Sequence, residues 1–510
     1  MSWRAPFVAA LSARAAAPVY VLEVVTVYQE PGRAWSCASV PGIGSSAIGI
    51  GAPRGGQRVR VEGGRLTPRA WTSTIGAWSV GLVGDLSALA GYVTRGTVVQ
   101  LKAGFAGMAP DDFEAIAIGQ VKNIRGKAPY FTLECHDIMT ALRQRITTDY
   151  ASAILFSNVG ATTTVALAWT ASATMTVVST TGFERRTGAS GAVFVTPLTG
   201  DPFILTYTGT TATSFTGCST TGQLGTVAST AGIGATVAEL LYLDGHPLDI
   251  ARRVLCSQSG TAANGLYDAL PSGSGLGLLN ALVDHDDIDR YKGDVVTVSS
   301  GSYLWELAVS AEAEDAYAWL TSLLAPAGLF LASRQGLLTV RAAQDTRSAT
   351  YVSDLDVTDE DIATVLSYEA YDYTHSPEYA RAYAVTGTGG LTSTSATLAT
   401  LPARGSLTYD VADRVWSNEA AIQADMVGRL HESAARVPER LEVRCASRRL
   451  AQLAVGDVVD LTSRRTHSRR DGALGWSSRR ALVDGVSPDW DAGVVDVGLV
   501  VYPETEDIGA

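Results

Sequence analysis

The sequence predicts a mainly β, multidomain protein with α+β parts: two related β-barrels flanking an α/β clamp region, plus an inserted small β domain. Three observations carry that expectation. At 510 residues the chain is too long for one core. Its 51 glycines and many Thr and Ser residues favour strands and turns over helical bundles. Finally, one pattern occurs twice: Gly96-Thr97-Val98-Val99-Gln100-Leu101 matches Gly456-Asp457-Val458-Val459-Asp460-Leu461, each with a glycine where backbone must turn or approach closely.

The echo continues in order. Ile118-Gly119-Gln120-Val121 is matched to Val483-Asp484-Gly485-Val486, and Phe131–Cys135 to Val495–Leu499. Residues 1–155 are expected to form the first barrel, from the β-branched run Val19–Val27, the alternation Gln57-Arg58-Val59-Arg60-Val61, and the strands around Val98 and Phe131, closed by a helix from Asp137 to Ile146. Low charge and regular short strands mark 156–238 as the insert, with Met175–Val178 and Phe203–Tyr207 between turn signals.

Residues 239–345 are mixed α/β. Helical steps run through Leu248, Ala251, Arg252 and Leu255, and a second helical region is expected over Ser302–Leu324. Gln335-Gly336 between two apolar runs signals a hairpin turn. Residues 346–415 form a β-rich clamp segment with a surface loop over Gly387–Thr400. Residues 416–510 open with a helix whose stripe is Ile422, Met426, Leu430, Ala434 and Val437, ended at Pro438, and continue into the second barrel.

The segments "AARVPERLEV", "LAQLAVGDVVDLTSRR" and "ALVDGVSPDWDAGVVDVGLVVYP", with "PVYVLEV" and "RLTPRAWTSTIGAWSVGLVGDLSAL" near the start, resemble the tail hub (baseplate hub or tail tip) proteins of long-tailed bacteriophages. The resemblance implies a structural virion protein at the distal end of the tail tube, made in the bacterial host cytoplasm. Its expected form is a homotrimer whose six barrels join a sixfold tube to a threefold tip and enclose the DNA channel. It also implies distal tail, tape measure and fibre or tip proteins as partners. Genomic DNA would pass without specific binding, which suits a net charge of -12. The alternatives are host carbohydrate bound by the insert, which resembles inserts of other phage tail proteins, and a tail-associated cell-wall hydrolase. The absence of an obvious spike or lysozyme segment leans toward a siphophage tip.

No chemical signature stands out, and no enzyme activity or cofactor is expected. Asp284-His285-Asp286-Asp287-Ile288-Asp289 lacks the ordered spacing and glycine of a calcium loop and reads as a solvated acidic turn. His431-Glu432 opens like a zinc-protease helix, but Ala435 stands where the second histidine belongs. Gly42-Ile43-Gly44-Ser45-Ser46-Ala47 fits a dinucleotide fingerprint only formally, since no strand precedes and no helix follows it. Five scattered cysteines form neither a disulfide framework nor a metal cluster. Pro6 and Arg14 count against an export signal. The candidate ring-assembly residues are Val98, Val99, Leu101, Val458, Val459 and Leu461. Arg464, Arg465, Arg469 and Arg470 form a candidate electrostatic loop between subunits.

Overall fold

The computed structural model describes residues 3–12, 18–25, 34–36, 48–50, 59–67, 72–84, 93–143, 162–181, 183, 191–200, 203–220, 230–256, 276–278, 280–292, 305–309, 316–325, 328–342, 355–370, 382–386, 394–397, 406–410, 438–467 and 474–502. A short helix α1 (Ala5–Leu11), with proline in its first turn, buries Phe7 and Leu11. The first barrel follows as β1 (Pro18–Val24), β2 (Ala34–Ser36), β3 (Ile48–Ile50), β4 (Arg60–Glu62), β5 (Leu66–Thr67), β6 (Thr72–Ser73), β7 (Ala77–Gly84), β8 (Val98–Phe105), β9 (Glu114–Lys127) and β10 (Tyr130–Asp137). Inward residues alternate as a half-buried strand requires: Trp78, Val80 and Leu82 on β7, Val99, Leu101 and Ala103 on β8. The helix expected over Asp137–Ile146 is instead a 3-10 turn, Ile138–Leu142. Asp137 accepts from the Met139 amide at 2.9 Å, and the Arg143 amide closes the turn on Thr140 O. Residues beyond Arg143 in that stretch lie outside the described ones.

Next come β11 (Thr162–Thr164), β12 (Trp169–Thr170), β13 (Thr174–Thr176), β14 (Gly191–Thr196), β15 (Phe203–Tyr207), β16 (Gly209–Thr211), β17 (Ser214–Thr216), β18 (Thr230–Ala231) and β19 (Thr236–Gly245). Their core draws only on residues between Val165 and Val237, with Trp169 stacked on Phe203 and Phe183 edge-on to Phe215. β19 then leaves this core and pairs with β20 (Trp305–Val309).

The clamp contains α2 (Pro247–Cys256), α3 (His285–Lys292), α4 (Ala316–Leu324) and the hairpin of β21 (Leu329–Arg334) and β22 (Leu337–Ala342). Gln335 and Gly336 turn that hairpin at φ 52 and 81, the doubly positive geometry that the sequence signals. Of the helix expected over Ser302–Leu324, the described residues are helical only in α4, and Trp305–Val309 is strand. Trp305–Val309 also alternates with period two, and the partner strand Leu241–Gly245 selects extended backbone.

The second barrel comprises β23 (Leu355–Thr358), β24 (Ile362–Ala370), β28 (Glu439–Cys445), β29 (Val458–His467), β30 (Leu474–Asp489) and β31 (Val494–Val501). Between them β25 (Ala382–Thr386), β26 (Thr394–Thr397) and β27 (Ser406–Asp410) make a small separate sheet. Thr394–Thr397 was expected to be loop, and pairing with β25 makes it strand. The helix stripe Ile422 to Val437, with His431 and Glu432, lies outside the described residues, as does the glycine-rich segment Gly42–Ala47.

The two barrels repeat one plan. Neighbouring strands run β8-β9-β10-β7-β4 in the first and β29-β30-β31-β28-β24 in the second, all antiparallel. Gly96 (φ 88) donates to Val121 O, and the Val121 amide donates to Thr97 O. Gly456 (φ 92) donates to Val483 O, and the Val483 amide donates to Asp457 O. Val121 opposes Cys135 and Val483 opposes Leu499; Lys122 and Asp484, the next residues, are each skipped in a bulge. Cys135 faces Trp78 and Leu499 faces Leu441, then Trp78 faces Val61 and Leu441 faces Tyr368. This register corrects one expected match: the counterpart of Ile118–Val121 is Arg480–Val483. Glycine and valine recur through β30, so only hydrogen bonding fixes the alignment. The plans differ at one edge, where β8 takes β1 antiparallel and β29 takes β23 parallel.

Candidate functional site

The barrels meet along a seam where the outer edge of β4 lies on the end of β30. Arg60 opposes Asp489, the Gly63 amide donates to Val486 O at 3.1 Å, Arg65 bridges Gly485, and the Trp490 amide donates to Val59 O at 3.3 Å. Asp491 locks the end, accepting from the Val59 amide at 2.7 Å and from the Tyr20 hydroxyl at 2.9 Å. Around Trp490 the rings of Trp3 and Phe7 pack with centroids 6.0 and 6.3 Å away, so the first helix spans the seam. Val59, Val486 and Trp490 are buried by it.

The β21–β22 hairpin is wedged between the barrels. At its base Phe330 sits under the Gly456 corner, where a β-carbon would stand 2.6 Å from the ring. At its tip Gly336 lies on β9, where a β-carbon would stand 2.5 Å from the Ile118 nitrogen. The Ser73 hydroxyl donates to Leu331 O, and the Tyr317 hydroxyl donates to Ser73 O, tying the clamp to the first barrel. A cavity of about 60 Å³ remains where the three parts meet, lined by Trp78, Ile118, Asp137, Ser333, Gly336 and Trp490 among others. Burial pushes the Asp137 carboxyl up to about 6, against the pull of its bonds from Met139 and Ser333.

A buried charge cluster fastens the wedge to the second barrel. Arg341, fully buried, donates to Val455 O at 2.5 Å, Tyr291 Oη at 2.6 Å and Asp457 Oδ1 at 2.5 Å, and its Nε lies 3.1 Å from Asp287 Oδ2. Asp287 also accepts from Arg334 at 2.8 Å and from the Thr339 hydroxyl at 3.0 Å. Asp457 Oδ2 accepts from the Ala454 amide at 2.7 Å, closing the glycine corner. Burial alone would pull the guanidinium down, but Asp457, Tyr291 and Asp287 hold it well above its ordinary value. Burial also raises the Tyr291 phenol. This arrangement holds parts together; it presents no nucleophile beside a base.

The stretch 284–289 is therefore no solvated turn. Asp284 caps α3 by accepting from the Asp287 amide at 3.2 Å, and both aspartates are buried. The signal was Arg341 in the apolar run "LLTVRAA", since a cation inside a strand buried on both faces requires an anion beside it. Among the described residues no group of three or more His, Cys, Asp or Glu side chains is placed to hold a metal ion.

The candidate ring residues turn inward. Val99, Leu101, Val458, Val459 and Leu461 are fully buried in the chain's own core, and Val98 packs against it. β8 is bonded on both edges by β1 and β9, as β29 is by β23 and β30. These residues shape the interiors of the barrels. The Arg465 guanidinium bonds within the chain, whereas the Arg464 side chain is exposed and only its backbone is tied. The Arg464 amide donates to Asp359 at 3.0 Å, and the Arg465 guanidinium donates to Ala363 O and Asp359 O. Arg469 and Arg470 lie outside the described residues. In the insert Trp169, Phe183, Phe203, Tyr207 and Phe215 are buried, so none of these five rings is a platform for sugar.

No family model matches the chain, and no curated protein matches it. Solved structures similar to it include tail proteins and a component of a secretion system. The 43 kDa tail protein of prophage MuSo2 from Shewanella oneidensis is 11% identical, covering 96% of this chain and 100% of that one with a TM-score of 0.39. A tail protein from Neisseria meningitidis MC58 is 11% identical, covering 91% and 97% with a TM-score of 0.38. An Escherichia coli component of the type VI secretion system, described as similar to bacteriophage T4 tail proteins, is 9% identical, covering 91% and 79% with a TM-score of 0.33.

Proposed function

We propose that this chain is a structural tail hub protein, three copies of which form a ring at the distal end of a phage tail tube. The observation that supports it is the repeated barrel: two units with the same strand order, corner glycines and bulges stand side by side in one polypeptide. Three such chains offer six barrel units about one axis, so a threefold assembly matches a sixfold tube. The wedge and the buried Arg341 cluster suit this role, because they set the angle between barrels with interactions that bulk solvent does not screen. Binding to neighbouring tail proteins and passage of DNA through the ring belong to the same reading, and the net charge of -12 disfavours DNA adhering to the wall. Catalysis has no part in it. The test is the mass of the purified protein in solution. A species of three chains is expected, and a stable dimer or a monomer at tens of micromolar would overturn the reading.

A further inference from the structure

The seam inside the chain has a second, unfilled copy. Because β4 corresponds to β24 and the end of β30 to the end of β9, each half of the seam has a counterpart on the opposite barrel. Arg60, Val61 and Glu62 correspond to Ser367, Tyr368 and Glu369 through their shared register on β7 and β28. Asp489, opposite Val494, corresponds to Lys127, opposite Tyr130.

Within the chain the first pair of elements is covered. Its counterparts are open. Val59 is 0% exposed, whereas Val365 in the corresponding place is half-buried and Leu366, bulged beside it, is 42% exposed. Val486, Pro488 and Trp490 are buried, whereas Ile124 is half-buried and Gly126 and Ala128 are exposed. Among the described residues β24 is bonded by a strand on one edge only, by β28, and β9 beyond Val121 on one edge only, by β10. Tyr130, at the tip of the β9 arm opposite Lys127, is 41% exposed. An uncovered strand edge beside exposed aliphatic and aromatic side chains is a template for pairing.

We infer that the outer edge of β24 in one copy pairs antiparallel with the β9 arm, residues 124–127, of a second copy, repeating between chains the seam that β4 and β30 make within one. The inference rests on the ring reading and adds the surfaces and register that close the ring. Ser367 then opposes Lys127 of the next copy, and the bulged Leu366, exposed in the single chain, is covered at the new seam. The charges agree: the arm carries Arg125 and Lys127, and Glu369 stands near the end of the strand. Each chain has one such edge and one such arm, so the contact is head-to-tail and closes when three chains have joined. The turn after Lys127 has two residues where that after Asp489 has four and holds no aspartate, so the Asp491 lock is not repeated and this seam depends more on its strand pairing.

The experiment is cysteine cross-linking of the full chain. Ser367→Cys with Lys127→Cys, oxidised with copper phenanthroline, is expected to give covalent dimers and trimers on a denaturing gel. Arg60→Cys with Asp489→Cys is expected to close within one chain and leave the mass of a monomer. Each single substitution provides the background of the native cysteines. A three-chain mass in solution without the ladder would overturn the strand pairing and leave the ring standing. A monomer at tens of micromolar would overturn both. As a second variant, Leu366→Asp, folded by circular dichroism, is expected to raise the concentration needed for assembly at least tenfold, and unchanged assembly would contradict the pairing.

Discussion

Arg341→Met tests how the clamp is held. The substitution keeps the length of the side chain and removes the cation that serves Asp457, Asp287, Tyr291 and Val455 O together. Asp287 keeps Arg334 and Thr339, whereas Asp457 keeps only the Ala454 amide at its other oxygen. One buried carboxylate therefore loses its counter-charge, and removing one partner of such a pair costs about 3–5 kcal/mol. Arg341→Lys should recover little, because one ammonium cannot reach acceptors that the flat guanidinium meets on several sides. Arg341→Met with Asp457→Asn should be more stable than Arg341→Met alone, since the stranded charge is gone. The assay is chemical denaturation followed by tryptophan fluorescence, read at the transition that unfolds the clamp with the second barrel. A loss below about 1 kcal/mol for Arg341→Met, or no recovery in the double variant, would refute the view that charge compensation fastens the wedge.

Asp137 makes stability depend on pH. Its folded value near 6 lies above the ordinary 3.8, so its contribution is full below about pH 3.8 and is lost as pH rises through 6. The gap of about two units corresponds to roughly 3 kcal/mol. Asp137→Asn should gain on the parent protein by that amount between pH 4 and pH 7 in paired thermal melts, and parallel curves would exclude it. Gly456→Ala should cost about 1–3 kcal/mol more than Gly96→Ala, because both hold positive φ but only Gly456 faces a ring at 2.6 Å. Equal melting shifts would show that Phe330 does not define the corner. Arg465→Ala should cost less than about 1 kcal/mol, its partners being exposed; a loss of several kcal/mol would mean that this side chain does more than tie Asp359.

Local patterns disclosed much of the architecture. The two glycine corners are visible as a repeated hexapeptide, and Gln335-Gly336 announces its hairpin. Two kinds of feature were not visible. Trp305–Val309 satisfies both helical and extended spacing, and its partner strand, more than sixty residues earlier, decides between them. The Asp287–Arg341–Asp457 cluster joins residues 54 and 116 positions apart, so two acids of a run that looks solvated in sequence, Asp284 and Asp287, are buried once α3 and β22 pack, while Asp286 and Asp289 stay exposed. Regular alternation at Val98–Leu101 and Val458–Leu461 marks strands without saying which of their edges are paired, and only the topology shows that β24 is bonded by a strand on one edge among the described residues.

Images of the purified assembly by electron microscopy test the account most directly. Class averages down the axis should show three chains presenting six lobes of similar size, with the β24 edge of each copy against the β9 arm of the next. A closed two-chain particle, or a ring with three lobes and gaps where the second barrels should stand, would contradict it.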